Sequence, residues 1–422
     1  PIDKELWYKA PITSKDNLHG DLRGIIDHLD HIQKLGIDVV YLTPIFKSDS
    51  CHKYDTTDYY QIDPSFGTTE DLKELVQKAH ECGMKVVMDA VFNHTGREFF
   101  AFEDIMEKGE KSKYLDWYYI EKFPLKSERG EIPNYKCFGY YGGMPKLNLK
   151  NPEVEKFFTD VACYWIKECD IDGWRMDVGD EISHYFWKNF RRAVKAVKKD
   201  MLIIGEIWHY AGDFLEGDEW DTVMNYPFYL NLIDLLADEK INVSQFIQNL
   251  GYLKGRLNKK CYPLMWNLID SHDTARFLHL CNDNKKKQHL AAAFQLLLPG
   301  MPMIYYGDEF AMPGANDPDC RRGMYWDEEY QDKEMFEWYK QLLKVRKNHA
   351  CIVEGEPIEI AARDEEETIV LTRKNGEETL ALIFNCSSSA RVFNEYAQKY
   401  DLLRENPFDG KIEGLDAAVI VL

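Results

Sequence analysis

The chain has 422 residues, 45% of them hydrophobic and 29% charged, a globular composition with room for two or three domains. Its net charge of −20 opposes binding to nucleic acid or an anionic membrane and leaves neutral ligands as the compatible class. The longest apolar run, 291–306, is broken by Pro299, Gly300 and Pro302, so no transmembrane helix is expected.

Ten cysteines are scattered with no CxxC pair, which argues against structural zinc and for a reducing, cytoplasmic setting. The chain opens Pro1-Ile2 without methionine, so an upstream segment, a signal peptide included, is left open.

In chain order, 22–35 carries helical spacing (Leu22, Ile25, Ile26, Leu29, Ile32, Leu35) and stops at Gly36. DVVYLTPI, 38–45, has strand length. A second helix is expected over 69–82 and a strand over 85–92 (KVVMDAVF). Buried runs alternating with helices indicate a parallel sheet. The rhythm then breaks over 93–150, too long for a bare loop. Its aromatics, among them Phe99, Phe102, Trp117, Tyr118 and Phe138, predict a folded insertion. Afterwards the alternation resumes: helix 153–169, strand 173–178, helix 183–199, strand 202–208, a short strand 220–225, helix 244–257, strand 263–269, helix 285–298, strand 302–307 and helix 333–347. That makes seven barrel-type strands, where a (β/α)₈ barrel needs eight. The best candidate before them, 5–10, is poor: the first strand is either disguised or absent from this chain. From about 350 short alternating runs, divided by turns such as Asn375-Gly376, predict a small antiparallel β domain.

The stretch GWRMDV, 173–178, is the centre of the reading. Arg175 and Asp177 lie two apart on a strand and so share a face. The cation is expected to favour the ionised carboxylate, which suits a nucleophile. Alone, this pair reads as a structural ion pair. Three more polar clusters change that: Asp89, Asn93 and His94 in DAVFNH, Glu206 and His209 in GEIWH, and His272 with Asp273 in SHD. In a barrel such strand ends converge on one face. A site of Asp, Glu and His could hold Mg²⁺ or Mn²⁺, but no compact ligand spacing supports it. Glycoside chemistry is the other option, with two carboxyl groups about 5–5.5 Å apart in retaining enzymes. Asp177 suits the nucleophile. Glu206 follows an apolar strand and precedes Trp208, a partly buried setting that suits a protonated acid. Asp273 would stabilise an oxocarbenium-like transition state.

These four motifs, in this order and at this spacing, resemble those of the α-amylase superfamily of glycoside hydrolases. The resemblance implies an α/β fold: a (β/α)₈ TIM barrel (1–92 and 151–349), an inserted subdomain after the third strand (93–150) and a C-terminal antiparallel β domain (350–422). It implies retaining hydrolysis of α-1,4-glucosidic bonds in maltooligosaccharides, cyclodextrins and pullulan or starch, with transglycosylation or non-catalytic glucan binding as alternatives. By residue, it implies Asp177 as nucleophile, Glu206 as acid/base and Asp273 as transition-state stabiliser. His94, His272 and the ring of Tyr54 would hold the glucosyl unit at the cleaved bond. Arg175, Asp89 and Asn93 would support the site, and His209 would also bind substrate. Asp319 and Arg321 in NDPDCRR would grip the next glucose. MPKLN, 144–148, resembles the neopullulanase, cyclomaltodextrinase and maltogenic amylase branch. That branch implies a homodimer formed through an N-terminal β domain, which nothing here matches. No cofactor is required on this reading; calcium, compatible with the family, has only Asn93 to suggest it.

Overall fold

The computed structural model describes residues 3–126 and 132–422. Seven parallel strands follow in chain order: β1 Val39–Leu42, β2 Lys85–Ala90, β3 Gly173–Met176, β4 Leu202–Gly205, β5 Thr222–Val223, β6 Trp266–Asn267 and β7 Met301–Pro302. β1 to β5 make one sheet, β6 pairs with β7, and a parallel bridge between Met224 and Trp266 joins the two groups. Val87, Ile204, Met224 and Trp266, with Val39 and Met301, come from six different strands or strand ends and pack into one apolar cluster. The strand interior is therefore a filled core and not a pore.

Helices cover the outside. α1 Leu22–Asp27 and α2 Leu29–Leu35 precede β1, and α3 Thr69–Glu81 precedes β2. α4 Phe100–Lys108 and α5 Pro152–Cys169 lie between β2 and β3, and α6 His184–Val197 leads to β4. α7 Tyr226–Leu236 and α8 Val243–Arg256 connect β5 to β6, α9 Lys285–Leu297 connects β6 to β7, and α10 Lys333–Asn348 follows. The caps are written in the sequence: Thr68 and Asp71 form a reciprocal capping box on α3, and Asn242 with Gln245 does the same on α8.

The structure departs from expectation in three places. The helix expected over 22–35 divides at His28 (φ −116°, ψ 16°), whose ring leaves the helix to stack on Trp326 at 3.7 Å. α7 has no counterpart among the predicted elements: it is apolar on nearly every side and so carries no helical stripe to read. The candidate strand at 5–10 instead begins in a helical turn, Lys4–Trp7, and among the described residues no strand precedes Val39.

The segment after β2 is folded. Its described residues hold α4, three 3-10 turns and antiparallel bridges Tyr118–Leu147, Ile120–Tyr135 and Cys137–Pro145. Phe99, Phe102, Tyr118 and Tyr135 are buried within it. The C-terminal sheet is antiparallel. Its main strands are β8 Glu356–Arg363, β9 Thr368–Asn375, β10 Glu378–Asn385 and β11 Asp416–Val421, the last three buried on both faces through most of their length. One face, with Leu371, Leu382 and Phe384, packs on α9, where Phe384 stacks on Phe294 at 4.3 Å. The other face packs on Phe393, Phe408 and Ile412.

Candidate active site

Register brings the polar residues together. Asp89 on β2 pairs with Arg175 on β3, and Met176 pairs with Gly205 on β4. One residue past that last pair stand Asp177 and Glu206. In parallel neighbours such positions share a face, so both carboxylates meet at the same end of the sheet.

Arg175 is fully buried and acts as the hub. Its NH1 contacts Asp89 Oδ1 and Oδ2 at 3.2 and 3.1 Å and Asp177 Oδ1 at 3.0 Å. Its NH2 lies 2.9 Å from Glu206 Oε2 and 3.9 Å from Asp273 Oδ2. Asp177 and Glu206 thus touch one planar guanidinium. The other Asp177 oxygen, Oδ2, is buried with no hydrogen-bond partner. Glu206 Oε2 accepts from the Val178 backbone N–H at 2.9 Å, and Oε1 accepts from Trp208 Nε1 at 3.2 Å. Val178 is held in the left-handed region (φ 47°, ψ 44°), costly for a β-branched residue and typical of a strained functional turn.

Four carboxylates around one guanidinium cannot all ionise cheaply. Burial and the nearby Glu206 charge push the Asp177 carboxyl well above its usual range, against the pull of Arg175. Arg175 thus favours the ionised Asp177, as expected, but burial and Glu206 act against it. Asp89 is also raised by burial, against Arg175. Asp273 is the most open of the four. Burial opposes its charge too, but the His272 hydrogen bond, with Arg175 and Arg321 nearby, lowers it to about 2.

Tyr54 and His272 lie beside this cluster. The Tyr54 hydroxyl donates to Asp89 Oδ2 at 3.1 Å and meets His272 Nε2 at 2.5 Å, and the two rings are parallel within 7°. His272 Nε2 also lies 3.0 Å from Asp273 Oδ2. His94 is placed differently from expectation. It is 1% exposed, its Nε2–H donates to the Tyr54 carbonyl at 2.9 Å, and Nδ1 faces Asn93 Nδ2 at 3.4 Å. Both nitrogens are engaged within the protein, and the Nε2 contact ties His94 to the Tyr54 segment. His209 sits exposed at the rim against Asp180, 3.0 Å away. Arg321 reaches Asp273 Oδ1 at 3.5 Å and donates to the His272 carbonyl at 2.9 Å. Asp319 does not stand beside it. Its carboxylate accepts from Ile12 N, Ala315 N, Arg322 Nε and Arg322 Nη2, which leaves no side free for a sugar. Asp317 takes that place, 2.7 Å from Arg321 Nε and half exposed. Its i,i+4 spacing to Arg321 was the available signal.

Three further groups escaped the reading. Tyr41 on β1 donates to Asp89 Oδ2 at 2.7 Å. Tyr226 stacks under Trp208 at 3.7 Å, and the Trp208 indole donates to Glu206. Lys146, inside MPKLN, pairs with Glu181 at 2.9 Å and with the Asn93 amide oxygen, tying that motif to the end of β2. Among the described residues no group of three or more His, Cys, Asp or Glu is arranged to hold a metal ion.

Residues 9–335 match the α-amylase catalytic domain. A cyclomaltodextrinase of Geobacillus thermopakistaniensis is 47% identical over 91% of this chain and 65% of its own length. Neopullulanase 2 of Thermoactinomyces vulgaris is 46% identical over 84% of this chain and 60% of its own. The chain thus spans less than two thirds of either relative. Among solved structures, the cyclic α-maltosyl-(1→6)-maltose hydrolase of Arthrobacter globiformis superposes with a TM-score of 0.90 at 34% identity, covering 100% of this chain and 94% of that one. With its strand-end carboxylates gathered on one guanidinium and this likeness along its length, the chain belongs to the α-amylase family, whose catalytic domain is a (β/α)₈ barrel.

Proposed function

We propose that this protein is a retaining α-glucan hydrolase that cleaves α-1,4-glucosidic bonds of cyclodextrins and maltooligosaccharides. The observation that carries it is the unpartnered, buried Asp177 Oδ2 beside Glu206 on a shared arginine. The names of its relatives, cyclomaltodextrinase and neopullulanase, favour cyclodextrins and pullulan among the substrates.

In the reactive form Asp177 is ionised against Arg175 and the proton sits on Glu206. Glu206 protonates the glycosidic oxygen while Asp177 Oδ2 attacks the anomeric carbon, forming a glycosyl ester and freeing the leaving sugar. Glu206, now a carboxylate, takes a proton from water; the resulting hydroxyl attacks the same carbon and releases Asp177. Asp273, ionised with His272 and Arg321, stabilises the positive charge between the two. On this reading residues 93–150 are the inserted subdomain closing the cleft, the barrel spans 1–92 and 151–349, and 350–422 is the C-terminal domain. No cofactor is needed, and a cytoplasmic homodimer is the working expectation.

Sugar release from maltotriose, β-cyclodextrin and pullulan tests the activity. Asp177→Asn should lower kcat by at least about a thousandfold with the melting curve retained. Near-normal turnover in that variant would show that another residue is the nucleophile.

A further inference from the structure

Trp208 belongs to two surfaces. Its indole donates to Glu206 Oε1 at 3.2 Å, and it also lines a groove of about 330 Å³ between α7 and α8. Leu230 and Asp234 follow Tyr226 at successive turns of α7 and form one wall. Tyr252 and Arg256, one turn apart on α8, form the other. The Arg256 guanidinium lies over the Tyr210 ring at 3.9 Å and the Tyr252 ring at 5.2 Å, and its NH1 donates to the Tyr252 hydroxyl at 2.9 Å. These contacts fix the Tyr252 ring, although 66% of the residue is exposed. Asp234 adds a 40% exposed carboxylate.

We propose that this groove is a second α-glucan-binding site, for glucosyl units that extend past Trp208 on the leaving-group side. The volume lies in the range of ligand clefts, and the lining combines aromatic faces with a few polar groups. That is the chemistry of a pyranose ring: C–H faces rest on aromatic planes, and hydroxyls meet a carboxylate and a guanidinium. The lining carries one guanidinium, Arg256, and one carboxylate, Asp234, which also lies 3.7 Å from Lys240, so its charges are balanced and it suits a neutral ligand. Continuity decides the occupant. Trp208 touches the proposed acid, which stands where the departing chain emerges, so a linear maltodextrin leaving the cleft meets the groove next. The direction of the chain rests on the assignment of Glu206 made above; the binding itself does not.

Two measurements on the full-length protein test it. The first is the ratio of kcat/KM on maltoheptaose to that on maltotriose. Tyr252→Ala is expected to lower this ratio about tenfold, the loss of one good stacking contact. Tyr252→Phe, which keeps the ring, should stay within about twofold. The second is retardation in a gel containing soluble amylose, run on Asp177→Asn with and without Tyr252→Ala. Weaker retardation in the double variant supports the groove even if the protein hydrolyses nothing, so the two readings fail separately. Leu230→Glu, on the opposite wall, repeats both measurements should Tyr252→Ala unfold. An unchanged ratio together with unchanged retardation overturns the proposal and leaves the groove to a different occupant.

Discussion

Tyr54 shows how the cleft controls charge one atom at a time. Its hydroxyl can donate only one proton, and Asp89 receives it at 3.1 Å, so the 2.5 Å contact with His272 Nε2 requires the imidazole to be the donor there. His272 is thereby fixed with its proton on Nε2, and Asp273 shares that same proton at 3.0 Å. Removing the hydroxyl leaves the ring in place but releases Asp89 from one donor and His272 from its acceptor. Tyr54→Phe should therefore reduce kcat by roughly ten- to a hundredfold, the value of a hydrogen bond to a charged group. Binding of a cyclodextrin that fills the cleft should move far less. Steady-state kinetics beside a binding titration separate the two, and an equal loss in both would assign the hydroxyl to binding alone.

At the scale of elements, the close approach of β4 to its neighbours sets the position of Glu206. Gly205 ends β4, and a Cβ built on it would fall inside the Trp220 ring. Trp220 is itself 1% exposed, stacked on Phe214 at 4.1 Å and edge-on to Trp187 at 5.7 Å, so it has nowhere to go. Gly205→Ala is expected to cost about 1–3 kcal/mol through overpacking. Because residue 206 follows directly, activity should fall further than stability explains. Urea unfolding beside kcat gives both numbers, and a fully stable, fully active variant would contradict this packing. Much of this layer was legible. The strand runs, the capping of α3 and the four motif clusters are local patterns, and local patterns survive in a sequence. What was hidden depended on contacts far along the chain. His28 breaks a continuous helical stripe because Trp326 offers its ring a better place. Asp319 and Asp317 are equivalent as text, and only the arrival of Ile12 and Arg322 commits one of them to the loop. Asp177 and Arg175 read as a private ion pair, because a strand pattern does not reveal that Glu206 and Asp89 share the same cation.

For the whole molecule, acid is the informative stress. His94 is fully buried, and desolvation lowers it to about 4; the Tyr54 carbonyl opposes that shift and the Lys146 charge assists it. Glu181 and Asp55 add weaker opposing charges. Between about 6.5, the unfolded value, and about 4, the unfolded chain binds a proton at this site and the folded chain does not. His94 therefore removes stability as pH falls through that window. Buried carboxyls with raised values, Asp177 and Asp308 among them, act in the opposite sense: the folded state holds their protons and gains from acid until the unfolded carboxyls also protonate. The net slope of the wild type is thus a contest, but the difference between two chains is not. His94→Gln keeps a side-chain N–H that can be aimed at the Tyr54 carbonyl and removes only the titration. Unfolding free energies from urea curves at pH 7.5, 6.5, 5.5 and 4.5 should separate as pH falls, the wild type dropping below the variant. The wild type should lose up to about 1.4 kcal/mol per pH unit more than the variant below pH 6.5, and nothing more above it. Parallel curves across the whole range would mean that His94 accepts its proton in the fold, and that the Tyr54 segment opens to let it.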